Sequence, residues 1–195
     1  MKMIDEKAVS PVCPETGIWS LETAKKKHRY DIMLAAKMAH IFWVPKRAAD
    51  LGCGRGAYCR ILKGCGWPVV DGYEGTPNVI SLGVYDNIMT LDLSKRRWVA
   101  INYDFVLCLE IGEHIPKKYE QVFIDNVCEF VSKDLVLSWG IPGQGGTGHF
   151  NEQPNEYIVA EFEKRGLKFD KKKSQVLRDI STKGWFKNTI MVFER

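Results

Sequence analysis

The chain of 195 residues carries 28 Lys and Arg against 24 Asp and Glu, a formal net charge of +4, with 45% apolar and 27% charged residues. That length suits one domain with a proper core, over residues 1–195, and the composition excludes disordered and fibrous classes. There is no apolar run long enough to cross a bilayer, no apolar N-terminal stretch of the secretory type, and no CxxC pair among six cysteines, so a reduced, cytoplasmic chain without a membrane is expected.

Tyr30, Met33, Leu34, Met38 and Ile41 recur at helical spacing and predict one helix from about Leu21 to Phe42, stopped by Pro45. Residues 1–44 thus read as an N-terminal helical cap on a core over 45–195. RAADL (47–51) reads as a strand running into the glycine-rich turn GCGRG, followed by a helix over Tyr58 to Leu62. PVVDGY (68–73) and IMTLDL (88–93) read as the second and third strands. YDFVLCLEI is nearly continuous in apolar residues, as a strand covered on both faces should be. A helix is expected over Lys117 to Val131, a strand over DLVLSW (134–139), and a helix over PNEYIVAEFEKRG with Asn155 capping its start. LKFD and TIMVFER follow as an antiparallel edge hairpin with no helix predicted between them. Trp19 and Tyr30, like Trp139 and Trp185, read as core residues.

Strands alternating with helices imply a parallel sheet, which binds its ligands at the carboxyl ends of the strands. The first of these ends is Asp50-Leu51-Gly52-Cys53-Gly54-Arg55-Gly56, a turn whose glycines let a ligand approach the backbone. Its Gly52-x-Gly54-x-x-Ala57 spacing also fits the dinucleotide pattern. Glu74, at the end of the second strand, can accept both hydroxyls of a ribose, and Asp92, at the end of the third, can receive an adenine amine.

With DLGCGRG, GYEG, TLDL and YDFVLCLE in this order, the sequence resembles the class I S-adenosylmethionine-dependent methyltransferases over about residues 47 to 140. The resemblance implies a Rossmann-like α/β fold: a seven-stranded, mostly parallel sheet with helices on both faces and an antiparallel last strand. It implies S-adenosylmethionine as cofactor, with Gly52, Gly54 and Gly56 beside its methionine portion, Glu74 at the ribose and Asp92 at the adenine. Asp50, Cys53, Leu93 and Glu110 complete the expected cofactor site. A two-domain dehydrogenase would need a substrate domain that the length does not allow.

LEIGEHIP (109–116) follows the fourth strand and places Glu110, Glu113 and His114 at i, i+3 and i+4, on one side of the chain if it turns helically. Two carboxylates and an imidazole there suit a divalent cation or an acid–base centre. The glycine-rich loop after the fifth strand brings His149 within reach. This segment resembles the ExxEH of the Hen-type small-RNA methyltransferases and the EH segment of the ubiquinone-biosynthesis O-methyltransferases. The first of these implies Glu110, Glu113, His114 and His149 as ligands of Mg²⁺ or another divalent ion. Without a metal, His114 or His149 is the expected general base, with Glu113 beside it.

The expected activity is O-methylation of a hydroxyl on a small molecule or sugar, with Asn151 and Gln153 placed to bond sugar hydroxyls. RNA ribose is the second candidate acceptor, since Lys25–Arg29, Lys95–Arg97 and Lys171–Lys173 form basic clusters that can face phosphates. A cofactor-binding regulatory module that no longer reacts is a third reading, against which the intact Glu110, Glu113, His114 and His149 stand.

Overall fold

A computed structural model describes residues 10–42, 44–97 and 101–195; residues 1–9 of the expected cap lie outside them. The elements, in chain order, are α1 (Leu21–Lys27), α2 (Ile32–Ile41), β1 (Ala48–Leu51), α3 (Ala57–Gly64), β2 (Val70–Glu74), β3 (Ile88–Thr90), β4 (Tyr103–Leu109), α4 (Glu120–Phe130), β5 (Val131–Ser138), α5 (Asn155–Glu163), β6 (Lys168–Phe169), α6 (Lys171–Ile180), α7 (Phe186–Thr189) and β7 (Met191–Glu194).

The single helix expected from Leu21 to Phe42 is two. Asp31 breaks it, because its carboxylate accepts the N–H groups of Met33 (3.0 Å) and Leu34 (3.2 Å) and so starts α2 afresh. The other oxygen of Asp31 accepts the N–H groups of Thr182 (2.6 Å) and Lys183 (3.2 Å), joining the N-terminal helices to the segment before α7. Those four bonds hold the Asp31 carboxyl below its usual range against the opposing effect of burial.

The sheet has seven strands in the order β3-β2-β1-β4-β5-β7-β6. β1 to β5 run parallel, and β7 lies antiparallel between β5 and β6. The expected mixed sheet is therefore present, but β6 and β7 are not joined as a hairpin, since α6 and α7 stand between them. KKKSQVLRDI hides its helix behind charge: α6 buries only Ser174 and Leu177, and its start is fixed by Asp170 accepting the Lys173 N–H at 2.8 Å.

Both faces of the sheet are covered, which accounts for the apolar run of β4. Val106 and Cys108 pack with Phe123 and Val127 of α4 and Ile158 and Phe162 of α5. Phe105 and Leu107 pack with Leu34 and Met38 of α2, Leu62 of α3 and Leu177 of α6. Each fully buried side chain of this size contributes about 1.5–3 kcal/mol. Trp139 belongs to this core, whereas Trp185 is 37% exposed, contrary to expectation. Because β1 leads outward through β2 to β3 and β4 starts the other half, a crevice opens between the carboxyl ends of β1 and β4.

Candidate active site

β1 runs into a turn in which Gly52, Gly54 and Gly56 have φ of 73°, 55° and 78°, a region that side chains with a Cβ rarely adopt. Glu74 braces this turn from the end of β2: one carboxylate oxygen accepts the Gly54 N–H and the other the Thr76 N–H, each at 2.8 Å. Asp50 sits beneath, inside β1 and only 3% exposed, with the Cys59 thiol donating to it at 3.5 Å. Burial pushes its carboxyl up to about 7; the Glu74 charge adds to this and the Cys59 bond opposes it. Asp92 lies two residues beyond the end of β3. Its carboxylate accepts the N–H (3.0 Å) and hydroxyl (2.6 Å) of Ser94 and pairs with Lys95 at 3.0 Å. Burial pulls the Asp92 carboxyl upward, but these bonds prevail and hold it low.

One cavity of about 1120 Å³ has Asp50, Gly52, Cys53, Gly54, Glu74, Asp92 and Leu93 in one part of its wall and Glu110, His114 and His149 in another. Acids from separate strands thus share a single cleft. Gly56 is outside the wall: it starts α3, where an added Cβ would stand 2.6 Å from Tyr85 Cβ.

Glu113 lies behind the wall, 0% exposed, and among the described residues neither of its carboxylate oxygens has a hydrogen-bond partner. Burial, with the Glu110 charge nearby, raises its pKa well above the ordinary value. One ligand atom each from Glu113, His114 and His149 lies within 4.8 Å of the other two. Both rings are oriented from behind. His149 Nδ1 donates to the Glu152 carboxylate at 2.9 Å, and His114 Nδ1 donates to the Gly148 carbonyl at 3.0 Å. The Trp19 indole N–H also approaches His114 Nδ1, at 3.4 Å, but a nitrogen that donates to Gly148 cannot accept from Trp19, and the shorter bond decides the tautomer. In a neutral ring, Nε2 is then the nitrogen with the lone pair, the arrangement that outer-shell acceptors impose on metal-binding imidazoles. A buried carboxylate without partners beside two such nitrogens fits a divalent cation.

Glu110 falls outside this group. Its φ of 55° turns the chain left-handed, so helical spacing does not apply, and its carboxylate accepts bonds from Gln144 Nε2 (2.7 Å) and Thr189 Oγ1 (3.4 Å). Three of the four expected residues thus have ligand atoms close together, while Glu110 acts on Glu113 through its nearby charge. Sequence reasoning missed what builds the loop after β5. Glu152 accepts the Gly143 (2.7 Å) and Gly145 (2.6 Å) N–H groups besides holding His149. Asn151, whose N–H donates to the Glu113 carbonyl at 2.9 Å, is anchored through its amide to buried Glu120 at 2.9 Å. The only prior signal was the density of glycines and acids in GQGGTGHFNEQ.

The N-terminal segment roofs the site. Val12 pairs with Trp19 in an isolated bridge, and Val12 packs on Gly148 while Gly17 packs on the His114 carbonyl, leaving no space for a Cβ at either glycine. Trp19 stacks on His28 (5.3 Å, 14°) and meets His114 edge-on (5.1 Å). Trp19, Tyr30 and Trp185 line the cavity rather than the core. Asn155 does not cap α5; its amide donates to the Asn188 carbonyl at 2.7 Å. Of the basic clusters, only Lys25–Arg29 reaches the cavity, through Lys27, His28 and Arg29. Lys95 pairs with Asp92, Arg96 with Glu129 and Asp125, and Lys173 with Asp134, Asp170 and Glu194.

No protein-family model matches the sequence, and no curated protein matches it. Solved structures do match the fold. Magnesium protoporphyrin IX methyltransferase from Synechocystis PCC 6803, with bound SAH, superposes with a TM-score of 0.63 at 17% identity, over 90% of this chain and 83% of that one. The methyltransferase domain of a bacterial Hen1 gives 0.58 at 18% identity, over 83% and 94%. The sugar N-methyltransferase KedS8 from Streptoalloteichus sp ATCC 53650 gives 0.63 at 13% identity, over 83% and 85%. The fold is that of the class I S-adenosylmethionine-dependent methyltransferases.

Proposed function

We propose that this chain is a single-domain methyltransferase that moves the methyl group of S-adenosylmethionine to a hydroxyl oxygen of a small molecule or sugar, assisted by a divalent cation at Glu113, His114 and His149. One observation carries the reading: a glycine-rich turn braced by Glu74 and a cluster ready for a cation border the same cavity. Matching folds crystallised with S-adenosylmethionine or its product support the choice of cofactor.

Gly52 and Gly54 offer bare backbone to the methionine portion. Glu74, fixed by its two backbone donors, keeps lone pairs for the ribose hydroxyls. Asp92 and Leu93 border the adenine end, and Asp50 supports the turn from below. S-adenosylmethionine supplies a methyl group on a cationic sulfur: the O–CH3 bond forms as the S–CH3 bond breaks, neutral S-adenosylhomocysteine leaves, and the hydroxyl proton passes to water. A cation, when bound, would lower the pKa of the acceptor hydroxyl. His114 and His149 would hold it through Nε2, and Glu113, once ionised, would supply neutralising charge. Two imidazoles and one carboxylate suit Mn²⁺, Fe²⁺ or Zn²⁺ better than Mg²⁺, which prefers oxygen donors.

RNA ribose is a second acceptor, favoured by Lys27, Arg29, Arg55 and Arg60 in the cavity wall. Titration calorimetry with S-adenosylhomocysteine and with Mn²⁺, followed by mass spectrometry of methylated products across hydroxyl acceptors and short RNAs, tests these readings. Exhaustive chelation is expected to lower the rate at least 100-fold and leave S-adenosylhomocysteine affinity within about threefold. A rate unchanged by chelation removes the cation from the reading. Cofactor binding without any methylated product would make the chain a binding module instead.

A further inference from the structure

His28 has no part in the chemistry above, yet its ring presses on the glycine-rich turn. A Cβ built on Gly54 would lie 2.7 Å from His28 Nδ1 and 2.9 Å from its Cγ, so only glycine admits this ring. The opposite support is Trp19, stacked nearly parallel at 5.3 Å. Nδ1 is buried and has no hydrogen-bond partner among the described residues. Burial holds the ring below its ordinary pKa, with Glu74 opposing and Arg55 assisting, so it is neutral and carries one proton. An orphaned buried N–H is rarer than an orphaned acceptor, which puts that proton on Nε2. The ring lines the cavity, and with Nδ1 sealed against Gly54, the edge left to a ligand is the one that donates.

A donor calls for an acceptor, and Arg55 adds positive charge to the same wall; its Nε is already committed to the Leu82 carbonyl at 2.7 Å, leaving its terminal nitrogens for a ligand. Glu74 is unsuited to an anion and suited to hydroxyls. The group of S-adenosylmethionine that is an anionic acceptor is its amino-acid carboxylate. We infer that His28, through Nε2–H, binds the carboxylate of the cofactor's amino-acid end beside Gly54, with Arg55 as its charged neighbour. This rests on the proposed cofactor and makes the N-terminal segment a part of the cofactor site.

The test compares S-adenosylhomocysteine with 5′-methylthioadenosine, which has the same nucleoside and sulfur but lacks the carboxylate. His28→Phe keeps the stack on Trp19 and removes the donor, whereas His28→Gln keeps a donor. Calorimetry should show His28→Phe binding S-adenosylhomocysteine about 10- to 100-fold more weakly and 5′-methylthioadenosine within about threefold of the parent, with His28→Gln near the parent for both. If His28→Phe does not melt cooperatively, His28→Ala takes its place. Equal weakening of both ligands would mean a collapsed roof, and no weakening of either would mean no contact; each overturns the inference alone. A parent protein that binds neither ligand overturns the cofactor reading itself, and this inference with it.

Discussion

The two halves of the cavity treat their carboxylates in opposite ways. On the side of the glycine-rich turn, Asp50, Glu74 and Asp92 each receive hydrogen bonds from the chain itself. On the other side, Glu113 is more deeply buried than any of them and receives none. The first half is complete as folded and offers a ligand lone pairs that are already aimed. The second half keeps a buried carboxyl without a hydrogen-bond partner among the described residues, which is costly, and this is why we propose a cation there.

Replacing Glu113 should expose this contrast most strongly. Glu113→Met keeps the bulk and removes the orphaned group; methylation should fall about 1000-fold while stability in chelator rises by about 1–2 kcal/mol. A loss of stability in chelator, read from urea melts, would show that Glu113 has a partner in the chain after all. Glu74→Ala should act in the reverse sense. It strips the acceptor from the Gly54 and Thr76 N–H groups and should cost about 3 kcal/mol in the same melts, besides weakening cofactor binding more than tenfold. A Glu74→Ala protein as stable as the parent would mean that the turn holds without its brace.

Asp50 gives a smaller, pH-dependent signal. Its folded carboxyl, near 7, lies above the unfolded value, so the folded state binds the extra proton and is weakened as pH rises from about 4 to 7. Asp50→Asn should therefore gain about 2–3 kcal/mol on the parent between pH 5 and pH 8. A parallel pair of stability profiles would contradict a raised carboxyl. Asp92→Asn should do least, about 0.5 kcal/mol, because the Lys95 it loses is largely in solvent. A larger drop would show that the Ser94 turn depends on the charge.

How far this contrast could be read from sequence varied with the kind of signal. Glycines at alternate positions and acids after apolar runs marked the side of the glycine-rich turn, because strand ends and tight turns are local events. The cluster at Glu113 was visible as residue types but not as geometry. Glu110, expected on the same side at helical spacing, instead has a left-handed backbone and accepts from Gln144 and Thr189, with its charge still bearing on Glu113. The outer acceptors Glu152 and Gly148 emerge only from the fold of a loop with no periodicity. α6 escaped because its helical stripe is a serine and a leucine among lysines, and α1 merged with α2 because the apolar pattern carried on across Asp31, although aspartate is a natural start signal.

Asp31 also carries a consequence for how the molecule comes into being. Its contacts with Thr182 and Lys183 span a sequence separation of about 150 residues, and Tyr30 and Trp185 stand beside them at the cleft. A nascent chain emerging from the ribosome can complete the turn after β1 early, yet its doorway must wait for Thr182 and Lys183 to be released. Removing residues 181–195 would thus be felt directly at Asp31, which would lose two of the four N–H groups its carboxylate accepts.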